Sequence, residues 1–225
     1  MDASASHVVT IDGPAASGKS STAQWVADTL GWQHIDSGSL YRAATWARQR
    51  QAGSPEGWTE ASVVAAAANV SLRPEARAFY PVAGDLPIGD AIRSVEVTAD
   101  VSRVARMPGV RAWVNERVRE AARGRDVVVD GRDMGTVVFP GAPLKIWLVA
   151  DPWERARRRL TQRLERRPSD EEIAAETDEI VQRDARDATQ TVQAKDAVLV
   201  DTTYLTQPEQ VERIVALARA VVQKR

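Results

Sequence analysis

The sequence predicts an α/β fold, a three-layer arrangement in which a central parallel sheet lies between helices and carries one small antiparallel insertion. Three observations carry that reading. Short apolar segments alternate with helix-spaced amphipathic segments along nearly the whole chain, the pattern of a parallel sheet covered on both faces. The first apolar segment runs into Gly13-Pro14-Ala15-Ala16-Ser17-Gly18-Lys19-Ser20, a match to G-x-x-x-x-G-K-[ST] between a strand and a helix. Between residues 70 and 93 the alternation stops and short strand-like pieces follow one another, which marks the insertion.

Taken in order, Val8 to Asp12 reads as a short buried strand and Gly13 to Gly18 as a turn. A helix from Ser20 to Leu30 carries Ala23, Val26, Ala27 and Leu30 at i, i+3, i+4, i+7, and Gly31 ends it. Trp32 to Asp36 is a second strand, followed by a helix from about Ser39 to Arg50, a loop at 53–57 and an alanine-rich helix near Glu60 to Ala68. In the insertion, Val70 to Leu72, Ala78 to Val82 and Leu86 to Ile88 are strand-like. Helices are then expected over Val95 to Arg106 and Val110 to Arg123, and strands over Val127 to Asp130 and Leu144 to Ala150. Two charged helices follow, Pro152 to Arg166 and Asp170 to Ala188, the second opened by a capping box of Ser169 with Glu172. Ala197 to Asp201 is the last strand. Thr206-Gln207-Pro208-Glu209 starts a final helix with Val211, Ile214, Val215, Ala218 and Val222 facing inward.

Composition narrows the function classes. With 225 residues there is room for one sizeable core and a subdomain, hardly for two independent domains. Hydrophobic residues at 44% and charged residues at 27% describe a globular chain, not a disordered one. A formal net charge of −1 lacks the basic excess of a general nucleic-acid coat. The absence of cysteine rules out disulfides and thiolate metal sites. Met1 to His7 has neither the basic start nor the apolar stretch of a signal peptide. The longest apolar runs, such as Val63 to Ala68, are far shorter than the ~20 residues that span a bilayer. The expectation is a cytoplasmic monomer with no membrane and no nucleic-acid partner.

Gly13 to Ser20 is the P-loop, a phosphate cradle. Its glycines let backbone N–H groups converge on phosphate oxygens, and the helix N-terminus adds its dipole. Lys19 reaches the outer phosphates, the Ser20 hydroxyl can ligate Mg²⁺, and Ser21 can add a phosphate hydrogen bond. The competing reading is a glycine-containing turn without a ligand, but the full pattern arises by chance in roughly one chain per hundred of this length. The guanine-reading [NT]-K-x-D of GTPases is missing, its nearest candidate being Ala194-Lys195-Asp196, and large ATPases need more chain. A small kinase remains.

Asp36-Ser37-Gly38-Ser39-Leu40-Tyr41-Arg42 resembles the D-S-G-x-x-Y-R element of the bacterial cytidylate (CMP/dCMP) kinases, a family of P-loop nucleoside monophosphate kinases. Asp130-Gly131-Arg132-Asp133-Met134-Gly135-Thr136-Val137-Val138-Phe139-Pro140 is similar to that family's D-G-R-D-M-G-T-V-V-F-P element, and Glu154-Arg155-Ala156-Arg157-Arg158-Arg159 to its E-R-A-x-R-R lid segment. With the P-loop, these elements stand in the family's order from residue 11 to about 202. The resemblance implies one kinase domain. Its parts are a core (about 1–65, 107–150 and 190–225), a nucleoside-monophosphate-binding insertion (about 66–106) and a helical lid (about 151–189).

The resemblance also implies transfer of the γ-phosphate of ATP to CMP and dCMP, with Mg²⁺, in pyrimidine metabolism. ATP would lie on Gly13, Pro14, Ala15, Ala16, Ser17, Gly18, Lys19, Ser20 and Ser21. Arg42 and Arg132 match arginines that grip the acceptor phosphate, and Ser102, Arg111 and Asp133 match positions that read cytosine. Asp187 matches a ribose contact, while Ser37 and Tyr41 belong to the acceptor pocket. Lys19, Arg132, Arg158, Arg159 and Arg183 are the implied catalytic cations, with Arg155 next. The strand-end acids Asp36 and Asp130 can hold Mg²⁺ through its waters.

Each reading has a bland alternative. Asp133 alone equally suits a turn, Arg111 a solvated helix face, Asp36 and Asp130 turn starts, and the 155–167 arginine run a solvated helix. His7 and His34 read as structural, since an ionised phosphate acceptor needs no general base. The 7 tryptophans read as packing or surface residues. At Gln190 the family pattern has another arginine with a Pro-Leu pair shortly after, so one phosphate contact is missing unless Arg186 replaces it. The rivals are a P-loop kinase for another monophosphate or a small metabolite such as shikimate, and a P-loop ATPase or nucleic-acid-binding protein that uses the arginine run.

Overall fold

A computed structural model describes residues 6–223; Met1 to Ala5, most of the stretch read above for a leader, lie outside the described residues. In chain order the elements are β1 (Val8–Asp12), α1 (Lys19–Leu30), β2 (Gln33–Asp36), α2 (Ser37–Gln49), α3 (Glu60–Ala66), β3 (Val70–Pro74), β4 (Phe79–Ala83) and β5 (Leu86–Pro87). They continue as α4 (Val95–Val104), α5 (Pro108–Ala122), β6 (Val127–Gly131), β7 (Leu144–Val149), α6 (Pro152–Leu164), α7 (Asp170–Asp187), β8 (Val198–Asp201) and α8 (Gln207–Val222). The main sheet is five-stranded and parallel throughout, in the order β2-β6-β1-β7-β8.

Strand alternation separates the two cores. Val127 and Val129 of β6 join Ile35 in the layer under α2, α3 and α5, whereas Val128 joins Val9 and Ile11 in the layer under α1 and α8. Each such fully buried side chain contributes roughly 1.5–3 kcal/mol of transfer free energy. The central strand β1 sits between β6 and β7; the connection after β1 runs to β2 on one side and the one after β6 crosses to β7 on the other, and a crevice opens at the carboxyl ends of these strands. The P-loop starts there. β3, β4 and β5 form the expected antiparallel insertion.

Several boundaries differ from the sequence reading, each for a local reason. Helix α2 starts at Ser37 because the Asp36 carboxylate accepts the Ser39 N–H at 3.2 Å and caps it. Helix α5 starts at Pro108, whose fixed φ suits the first helical position, so α4 ends at Val104. The third piece of the insertion is only Leu86–Pro87, since buried Ile88 turns the chain into a 3₁₀ segment over Gly89–Arg93. Met134–Val138, for which no element was expected, is a π-helical turn. The two oxygens of buried Asp12 accept the Met134 and Gly135 N–H groups at 2.9 and 2.8 Å and hold that turn against β1. Helices α6 and α7 form a hairpin around Ala156, Leu160, Ile173 and Ile180, with Ala16 of the P-loop packed against it. Ser169 and Glu172 cap α7 reciprocally, as read. Among the described residues no helix is long and apolar enough to cross a membrane.

Candidate active site

The P-loop geometry follows from its glycines. A Cβ on Gly13 would lie 2.1 Å from the Leu148 carbonyl oxygen, so the loop passes β7 too closely for any side chain. Gly18 precedes α1 with φ 84°, in the left-handed region. Gly13→Ala is therefore expected to push the loop off the sheet and abolish measurable ADP binding, a loss that titration calorimetry would register.

Buried Lys19 donates to the Pro14 carbonyl at 2.8 Å. Its pKa is pushed down to about 7, first by burial and then by the Arg132 charge. The Ser20 hydroxyl donates to Asp130 Oδ2 at 2.6 Å. Asp130 and Asp36 are register partners on β6 and β2, so two carboxylates sit side by side at the strand ends. Burial and the Asp130 charge raise the Asp36 pKa. At Asp130 burial acts upward, but the His34 hydrogen bond and charge outweigh it and the pKa is lowered.

Beyond the P-loop lies a cleft of about 230 Å³. Ala15, Ala16, Lys19 and Ser20 form its P-loop end, with Asp36 and Asp130 beside them. Across the cleft stand Ser37, Tyr41 and Arg42 of α2, and Ser102 of α4. Arg111 of α5 donates to Asp133, which follows β6, and the Arg111 guanidinium lies 5.9 Å from the centre of the Tyr41 ring. The Tyr41 hydroxyl is buried without a partner, and burial pushes its pKa up to about 12. Burial also raises the Asp133 pKa, opposed by Arg111. Arg42 donates to Thr98 Oγ1 at 2.9 Å. Buried Asp187 lies 3.8 Å from both Arg132 and Arg183. Arg183 is held down to about 10, by burial first and Arg132 next. The Arg132 charge thus lowers both Lys19 and Arg183, the condition of a site arranged for anions.

Some residues read from the sequence do not reach the cleft wall. Gly13, Pro14, Ser17 and Gly18 shape the loop from behind, and exposed Ser21 donates to the Gly18 carbonyl. Arg158 points away, donating to Glu154 and to the carbonyl oxygen of Thr202 at 2.5 Å. Arg159 pairs with buried Glu176 at 3.0 Å and lines a side cavity with Arg183 and Arg186. Gln190 lines the main cleft, while Arg186 stays in the side cavity.

Other residues were missed. Arg93 lines the cleft 3.4 Å from Asp36. Asp184 went unread, and Arg155, expected as a further catalytic cation, lies off the cleft wall and joins Asp184 in latching the hairpin to the P-loop: Arg155 donates to the Ala15 carbonyl at 2.8 Å and to Asp184 at 2.6 Å, and Asp184 accepts the Ala15 N–H. Buried His34 bonds Asp130 at 2.7 Å. Asp12, at a strand end beside a P-loop, carried the one signal that could have been read. Burial raises its pKa to about 6 against the pull of the two N–H groups it accepts. Among the described residues no three His, Cys, Asp or Glu side chains cluster as a metal cage.

A protein-family model described as cytidylate kinase matches residues 9–220. Among curated relatives, the cytidylate kinase of Lactiplantibacillus plantarum is 39% identical, covering 96% of this chain and 95% of its own. That of Salinibacter ruber is 41% identical over 95% and 97% of the two chains. That of Bordetella bronchiseptica is 42% identical over 97% of each.

Proposed function

The chain belongs to the cytidylate kinase family, and from that premise we propose that its cleft carries the γ-phosphoryl group of ATP to CMP and dCMP, giving ADP and CDP or dCDP. One observation carries the site assignment: the Lys19 cradle and the Arg111–Asp133 pair face a single cleft. Cytosine offers a donor at its amino group and acceptors at N3 and O2, which a carboxylate beside a guanidinium complements, whereas uracil reverses two of those positions. Ser102 and Tyr41 complete the base pocket, Asp187 takes the ribose, and Arg42 with Arg132 takes the acceptor phosphate. A CMP phosphate oxygen then attacks the γ-phosphorus in line. That phosphate is largely ionised at neutral pH, with a second pKa of about 6, so no base is required. Lys19, Arg132 and Arg183 offset the charge that spreads over the transferred group. Arg159 joins them when α6 and α7 close as a lid over residues 66–106. Arg158 holds α6 to the loop after β8 instead.

The oxygen-only set of Ser20, Asp36 and Asp130 fits Mg²⁺ that keeps most of its waters. Ser20, Asp36 and Asp130 would hold the ion at the P-loop end of the cleft, where it would supply positive charge against the donor phosphates.

The test is transfer of label from γ-labelled ATP. The reading requires labelled CDP when CMP is present and little ATP loss when it is absent; ATP turnover without an acceptor would point to an ATPase. A second expectation concerns protons. Phosphate oxygens beside Lys19 raise its pKa from about 7, so ADP binding at pH 8 should take up part of a proton. Calorimetry in two buffers of different ionisation enthalpy measures that uptake, and identical heats would exclude it.

A further inference from the structure

His34 is buried, ionisable and off the cleft wall, and the transfer chemistry above has no use for it. Its surroundings are nonetheless built. His34 Nε2 lies 2.7 Å from Asp130 Oδ1, with the two side chains only 9% and 3% exposed. The opposite oxygen, Oδ2, accepts the Ser20 hydroxyl at 2.6 Å. His34 Nδ1 lies 3.1 Å from Gln24 Oε1. The Gln24 amide is itself turned by its nitrogen, which donates to Asp28 Oδ1 at 3.1 Å and toward the Arg77 carbonyl at 3.5 Å. Ser20 and Gln24 are one turn apart on the same face of α1. Asp130 and His34 therefore close a ring of hydrogen bonds across two successive turns of that helix. The Asp130 backbone is pinned as well, its carbonyl accepting Ser37 Oγ at 2.7 Å.

We infer that His34 is a positioning residue for phosphoryl transfer: by donating to one oxygen of Asp130 it keeps the other aimed at Ser20 and the donor end of the cleft. Without that donor a buried carboxylate can rotate and present either oxygen, or turn from the P-loop altogether. The inference deepens the proposed function and rests on its placement of Asp130 beside the donor phosphates. A His that merely filled space would affect stability alone.

The experiment compares His34→Leu, which removes the donor, with His34→Gln, which keeps an N–H within reach of Asp130, and with Asp130→Ala. Read out are kcat, KM for CMP, and calorimetric affinity for ADP with and without Mg²⁺. His34→Leu should lower kcat by roughly tenfold or more, the range typical of groups that orient a metal's ligands. KM for CMP and ADP affinity without Mg²⁺ should stay unchanged, while the affinity that Mg²⁺ adds falls by a similar factor. His34→Gln should recover most of both. If Asp130→Ala leaves kcat and the Mg²⁺ effect at wild-type levels, the placement of Asp130 itself fails. If Asp130→Ala lowers both and His34→Leu lowers neither, or if the Leu and Gln variants fall equally, that placement stands and the role of His34 is overturned. Should His34→Leu not fold, Gln24→Ala releases the other side of the ring. It is then expected to lower kcat and the Mg²⁺ effect together, and wild-type values for both would overturn the inference.

Discussion

Replacing Lys19 with methionine is expected to lower kcat/KM by about a thousandfold without destabilising the fold. The magnitude is that of removing one preorganised group from a developing charge. The lysine amine lies buried among P-loop atoms with only the Pro14 carbonyl as partner, so its charge is carried at a cost in the free protein. Burial holds its pKa at about 7, well under the ordinary 10.5. A lowered lysine pKa means that folding disfavours the charged form. The resulting penalty is complete below about pH 7 and fades as pH rises toward 10.5. Methionine removes it while keeping an unbranched chain. The variant's Tm should therefore equal or exceed the wild-type value at pH 7, and the difference should narrow at higher pH. Thermal unfolding at several pH values beside a rate measurement checks both halves. Lost activity with a lower Tm at every pH would assign Lys19 a structural role.

Asp133→Ala should cost about a hundredfold in kcat/KM for CMP while KM for ATP is kept. Asp133 is buried and Arg111 donates to it, with a further Arg111 bond to the Ala105 carbonyl at 3.2 Å. On the proposed base recognition, removing the carboxylate would leave cytosine's amino group unpaired; it also frees the guanidinium that the carboxylate holds. Each lost or unsatisfied group costs about 1–3 kcal/mol, and about 1.4 kcal/mol is a factor of ten. The loss should be selective: UMP gains nothing from Asp133, so the CMP-to-UMP preference should collapse toward unity. Steady-state rates with both acceptors at saturating ATP measure it. Equal losses for CMP and UMP would remove Asp133 from base recognition.

The parts of this molecule that local sequence dictates were readable. The P-loop, the apolar strand that begins at Val127 and the Ser169–Glu172 cap depend on residues close together in the chain. The elements at 36–42 and 130–140 were legible through resemblance, and the structure brings Ser37, Tyr41, Arg42, Arg132 and Asp133 to one cleft. Contacts between distant segments were not. The bonds from Asp12 to Met134 and Gly135 span β1 and a π-helical turn, and no periodicity announces either. Two neighbours in the arginine run part for a geometric reason. Arg158 and Arg159 are adjacent, hence about 100° apart around the helix. One therefore binds the loop after β8 while the other turns to Glu176 and the side cavity. His34 looked like an ordinary core histidine because its partners, Gln24 and Asp130, lie on α1 and β6.

The most direct test of the account is a coupled kinase assay of the wild-type protein with CMP, dCMP, UMP and AMP at fixed MgATP. The highest kcat/KM is expected for CMP, with dCMP accepted and UMP and AMP well below. AMP or UMP clearly outrunning CMP would contradict it.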